Sequence, residues 1–179
     1  MKIAFSGSAG TGKTTLAKLL AEELGVPYFE EGMRARLEKG LDLHSLDIEG
    51  HRQLMRDMWA EQSAQEQAAP GGFVADRSSL DYAAFWMHYG LYEDHEATEA
   101  FMASMCVHGE AYDRVVLLPW GVLPLEADGV RTTNRWVQLR YQGILEGCLR
   151  QFLPEEKLLV VPELTDLQQR REFVLSALQ

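Results

Sequence analysis

Residues 1–20 read MKIAFSGSAGTGKTTLAKLL, and this stretch decides the fold. Lys2 to Ser6 is a short apolar run that reads as a β-strand. Gly7-Ser8-Ala9-Gly10-Thr11-Gly12-Lys13-Thr14 follows and matches G-x-x-x-x-G-K-[ST]. Thr14 to Leu24 then sets Leu16, Leu19, Leu20 and Leu24 at helical spacing, and Gly25 ends the helix. Strand, glycine-rich loop and helix form the context in which backbone N–H groups turn inward on phosphate oxygens. The glycines allow the bend. Lys13 has the reach for β- and γ-phosphates, and the Thr14 hydroxyl suits Mg²⁺ coordination. Residues 7–15, Thr15 included, are the expected cradle. The motif implies a nucleoside triphosphate, with ATP and Mg²⁺ the expected cofactors.

The rest of the chain sets limits. Its 179 residues suit one domain, and 46% hydrophobic with 25% charged residues is an ordinary globular balance. A net charge of −10 argues against a broad nucleic-acid partner. Cys106 and Cys148 form no C-x-x-C pair and read as reduced and inert. No apolar run approaches the ~18 residues of a membrane span. Together these features lead us to expect a cytoplasmic location with no membrane partner.

Further along, apolar runs alternate with helical patterns. Strands are expected at Val26–Phe29, Phe73–Ala75, Arg114–Leu118 and Leu158–Val161. Helices are expected over 32–38, 48–69, 81–89, 98–112, 133–152 and 167–178. The alternation predicts an α/β layered domain with a five-stranded parallel sheet. In such a sheet ligands sit beyond the carboxyl ends of the strands. Glu30, Glu31 and Arg34 follow the second strand, and Asp76-Arg77-Ser78 follows the third. Asp76 suits a Mg²⁺ contact or a base, and Glu31 is the rival base. Arg34 serves either to hold Glu31 or to bind the acceptor, and Arg77 either as an ion-pair partner or as a phosphate contact. After the fourth strand, Arg131 and Arg135 are spaced one helical turn apart. Arginines there can close over phosphates and neutralise charge that develops during transfer.

These motifs together resemble the P-loop kinases of small molecules. The resemblance is to the thymidylate and deoxynucleoside kinases, and more so to the ATP-binding family that contains the bacterial nicotinamide riboside kinase domain. Glu31 with Arg34, Asp76-Arg77 with Asp81, and the lid sequence Asp128-Gly129-Val130-Arg131 carry it, and it spans nearly the whole chain. It implies a three-layer P-loop fold with strand order 2-3-1-4-5 and one domain over 1–179, with an arginine-bearing lid at about 120–136. It also implies ATP under that lid, with Arg131 and Arg135 on the phosphates and the Pro162–Asp166 loop, Thr165 included, against adenine. The acceptor would lie near Glu31, Arg34 and Arg77, with Trp59, Tyr82, Phe85, Trp86 and Tyr89 as candidate stacking partners. Relatives of this kind are often dimers, so a homodimer is among the expected partners.

The expected activity is ATP- and Mg²⁺-dependent transfer of the γ-phosphate to a small acceptor, a nucleoside or nucleotide. Lys13, Glu31, Asp76 and Arg131 are the expected catalytic residues. The competing reading is a nucleotide-binding regulatory ATPase or switch. It lacks a clearly placed water-positioning glutamine after the third strand, where Ser78-Ser79 follows Asp76-Arg77.

Overall fold

The structure, a computed structural model, describes residues 1–125 and 134–179. Five parallel strands make one sheet: β1 (Lys2–Ser6), β2 (Tyr28–Phe29), β3 (Phe73–Asp76), β4 (Arg114–Leu117) and β5 (Leu158–Val160), in the order β2-β3-β1-β4-β5. Register pairs Ala4 with Ala75 and with Val115, so the central strands are aligned at their carboxyl ends. The helices are α1 (Lys13–Leu24), α2 (Met33–Glu38), α3 (Ile48–Gln67), α4 (Ser79–His88), α5 (His95–Gly109), α6 (Arg135–Phe152) and α7 (Leu167–Leu178). The fold class, the strand order and the parallel sheet expected from the sequence are all present.

Strand side chains alternate between two cores, as the two-residue period of a strand requires. Ile3, Phe5, Val74 and Val116 face α1 and α7, packing with Leu16, Leu20 and Val174. Ala4, Phe73, Ala75, Val115 and Leu117 face the other way, toward Trp86, Tyr82, Met105 and Leu145. Small alanines on that side of β1 and β3 leave room for the large aromatic rings of α4. Both faces of the sheet are therefore covered, which is why its strands read as continuous apolar runs.

Several element ends differ from the sequence expectation, each for a local reason. Strand β2 is only Tyr28–Phe29, because Pro27 has no N–H for the ladder; its carbonyl still accepts from Val74. Helix α4 begins at Ser79 rather than Asp81. Ser78 caps it in a reciprocal box, with the Asp81 carboxylate accepting from the Ser78 backbone N–H. Helix α5 starts at His95 because Asp94 accepts from Ala97 N–H. Helix α6 starts at Arg135 behind an Asn134 cap.

Candidate active site

The phosphate loop leaves the carboxyl end of β1 and enters α1. Gly7, Gly10 and Gly12 have φ of 142°, 78° and 85°. A Cβ on Gly7 would stand 3.0 Å from the Leu118 carbonyl oxygen. The glycines are therefore required by conformation as well as by the approach of a ligand. Buried cations hold the loop's carbonyls. Arg77 Nη1 donates to Gly7 O at 2.7 Å, Lys13 Nζ to Ser8 O at 2.8 Å, and Arg170 Nη1 to Thr11 O at 2.7 Å. From the opposite side, glutamines of α6 accept from the loop's amides: Gln142 Oε1 from Ser8 N at 2.8 Å and Gln138 Oε1 from Ala9 N at 3.2 Å.

A cavity of about 600 Å³ opens over this loop. Gly10, Gly12, Lys13, Thr14, Thr15 and Asp76 border it, with Glu31 and Arg34 at one end. Burial, helped by the charge of Arg77, pulls the Lys13 ammonium down to about 8, against partial support from Asp76 and Glu31. Asp76 is 3% exposed at the end of β3. Its Oδ2 accepts from the Thr14 hydroxyl at 2.5 Å and from the Tyr28 hydroxyl at 3.4 Å. Its Oδ1 is buried without a hydrogen-bond partner. An orphaned carboxylate oxygen beside a threonine hydroxyl is a hard-oxygen pair that fits Mg²⁺, which retains several ligands from water and phosphate. Among the described residues no group of three or more His, Cys, Asp or Glu side chains forms that could hold a metal ion. Burial and the Asp76 charge push the Tyr28 phenol well above its ordinary value, keeping it a neutral donor.

A second cavity, about 590 Å³, lies beside the first. Met33, Leu37, Leu43, Leu46 and Val137 give it apolar walls, and Phe85, Tyr89 and Tyr141 line it with rings. Phe85 and Tyr141 stack with centroids 4.5 Å apart. The two cavities share Ala9, Glu31 and Arg34. Glu31 therefore stands where they meet. Arg77 holds it there, with Nε donating to Oε1 at 3.0 Å and Nη2 to Oε2 at 3.4 Å.

Arg77 is the hub of this junction. Its Nη1 also pairs with Asp81 Oδ1 at 3.0 Å, and its guanidinium carbon sits 5.0 Å from the Phe85 ring centroid. Burial disfavours its charge, but Glu31, Asp81 and Asp76 outweigh that and raise it well above the ordinary arginine value. Its backbone carries φ 111°, the positive φ of a non-glycine among the described residues. Gln62 Nε2 holds the Arg77 carbonyl at 2.8 Å, and Phe5 O accepts from Arg77 N.

Not every expected residue reaches the cavities. Arg131 and Asp128 lie outside the described residues, as does the middle of the expected lid, 126–133. Arg135 is exposed at the start of α6 and borders neither cavity; its guanidinium carbon lies 5.2 Å from the ring centroids of both Trp120 and Trp136. Thr165 is exposed in the β5–α7 loop and borders neither cavity. Of the five candidate stacking rings, Trp59, Tyr82 and Trp86 are core, while Phe85 and Tyr89 line the second cavity. Gln138, Gln142 and Arg170 were not expected from the sequence. Their signal was faint: polar residues on the buried faces of amphipathic helices α6 and α7.

A family profile described as an AAA domain matches residues 2–170. The chain belongs to the AAA domain family. It is 46% identical over 57 residues to the cytidylate kinase of Fervidobacterium nodosum, a match covering 32% of this chain and 26% of that protein. The chain thus spans about a quarter of the length of that curated relative. The NadR protein in complex with NR superposes with a TM-score of 0.74 at 21% identity, covering 98% of this chain and 50% of that one. The deoxyadenosine kinase of M. mycoides with dCMP and dCDP bound superposes with a TM-score of 0.67 at 18% identity, covering 99% and 98%. These likenesses agree with the fold and with a P-loop kinase-like architecture.

Proposed function

We propose that this protein transfers the γ-phosphate of ATP to a hydroxyl of a small acceptor, a nucleoside held in the second cavity. One observation carries the reading: a phosphate-binding cavity and an aromatic-lined cavity meet at a buried carboxylate, Glu31. A switch or regulatory ATPase has no use for a second, apolar cavity at that point.

In this reading Glu31 takes the acceptor's hydroxyl proton. The acceptor oxygen bonds to the γ-phosphorus, and the bond from that phosphorus to the β,γ-bridging oxygen breaks to leave ADP. Lys13 offsets charge on the transferring group. Asp76 and Thr14 hold Mg²⁺, which supplies further charge neutralisation when bound. Asp76 borders only the phosphate cavity, whereas Glu31 borders both, so the role of base is assigned to Glu31. In this reading residues 1–179 act as one kinase-like domain, and Arg131 has the charge-neutralising role expected of a lid arginine.

A hydroxyl is favoured over a phosphate as acceptor group because Arg77 is already committed to Glu31, Asp81 and Gly7 O. The second reading is a nucleoside monophosphate, supported by Arg34 bordering both cavities and by the cytidylate kinase relatives. ADP release from Mg·ATP with a panel of nucleosides, nicotinamide riboside and nucleoside monophosphates tests both. Turnover with nucleosides alone supports the first reading, and turnover with monophosphates alone the second. ADP at background with every member would refute a kinase.

A further inference from the structure

The phosphate loop shows a repeated arrangement. A trans peptide points its C=O and the next residue's N–H in opposite directions. Gly7 O is held by Arg77, and the Ser8 N–H on the same peptide reaches the other way to Gln142. Ser8 O is held by Lys13, and the Ala9 N–H reaches the other way to Gln138. Thr11 O is held by Arg170. Gly12 borders the phosphate cavity, whereas Arg170 does not. With the Thr11 carbonyl turned toward Arg170, the N–H on the same trans peptide turns away from that cation.

We infer that Arg170 is a positioning residue for nucleotide binding: by fixing the Thr11 carbonyl it aims the Gly12 N–H at the phosphate cavity. The inference rests on the nucleotide reading of the loop. Gly12 is the N-cap of α1 and its carbonyl accepts from Leu16 N–H, but a glycine at φ +85° has no side chain of its own to fix the direction of its amide. Arg170 is built to hold it. It is 2% exposed, sits one turn into α7, and its Nε is also bound to Leu164 O. Helix α7 is capped by Asp166 and packed on α1 through Val174 in the core shared with Leu16 and Leu20. The guanidinium is thus anchored on a rigid element. Its Nη1 would lie 3.0 Å from a Cβ on Gly12, so it also blocks the loop from collapsing outward. Such support converts a flexible glycine amide into a preorganised donor.

The test uses full-length protein labelled with ¹⁵N-glycine. Mg·AMP-PNP, tripolyphosphate and AMP are titrated into wild type, R170K and R170A. In wild type the Gly12 amide resonance should move strongly with AMP-PNP and tripolyphosphate. R170A should bind both about tenfold or more weakly, the loss of a charge-assisted hydrogen bond. Its Gly12 shift should shrink, while AMP affinity changes less than about twofold. R170K, which retains a cationic donor, should recover most of the affinity. A general structural role would weaken AMP equally and leave no selective loss at Gly12. R170A that binds AMP-PNP like wild type with the same Gly12 shift overturns the inference alone. Wild type that binds neither AMP-PNP nor tripolyphosphate overturns the nucleotide reading and this inference with it. If R170A does not fold, R170M replaces it against the same thresholds, since it fills much of the same space and offers no donor for Thr11 O.

Discussion

Raising the pH from 7 to 9 should weaken binding of Mg·AMP-PNP about tenfold, through one group. Burial in the free protein pulls Lys13 down to about 8, from 10.5 in an exposed chain. The ammonium is the form that binds phosphate. With a value near 8, about nine-tenths of the protein carries it at pH 7 and about one-tenth at pH 9. A bound triphosphate restores the proton, so the affinity falls in proportion to the charged fraction. Isothermal titration across this range reads the effect directly. Stability of the free protein should move the opposite way. The folded value lies below the unfolded one, so the unfolded chain binds more protons between about 8 and 10.5. Folding stability therefore gains as pH rises through that window, by up to about 1.4 kcal/mol per pH unit. The opposite signs separate this effect from alkaline unfolding, which would lower both. A flat affinity from pH 7 to 9, or the same fall in K13M, would refute the reasoning.

Glu31→Gln should lower turnover about a hundredfold or more while AMP-PNP affinity changes less than about threefold, because the base acts on the acceptor and not on the nucleotide; steady-state rates beside calorimetry check this. Asp76→Asn should raise the Mg²⁺ concentration for half-maximal activity about tenfold or more, since the orphaned Oδ1 is lost as an anionic ligand; an unchanged Mg²⁺ dependence removes Asp76 from the metal site. Gly72→Ala should destabilise folding by about 2 kcal/mol or more in urea, because its Cβ would lie 2.5 Å from Met1 O at φ +133°. Ser78→Ala should cost about 1 kcal/mol by the same assay, through loss of the helix cap that Asp81 N uses.

What the sequence could determine was local. Strand β1, the loop and α1 are contiguous, so pattern, glycine placement and lysine position were readable together. The parallel sheet was readable too, because strands covered on both faces must be continuously apolar, as in Arg114–Leu118. Asp76 and Glu31 were found because the end of a strand in such a sheet is a predictable place. Roles that depend on distant partners were not readable. Gln142 meets Ser8 across 134 residues and Arg170 meets Thr11 across 159, and on their own helices both look like ordinary polar residues. The two open alternatives for Arg77 also needed tertiary contacts: Glu31, Asp81 and Gly7 O converge on one guanidinium only once β2, α4 and the loop are brought together. Trp86 and Phe85 are adjacent in sequence, yet one is core and the other lines a cavity. A helix turns about 100° per residue, and only the packed neighbours decide which side of that turn is filled by protein and which is left open.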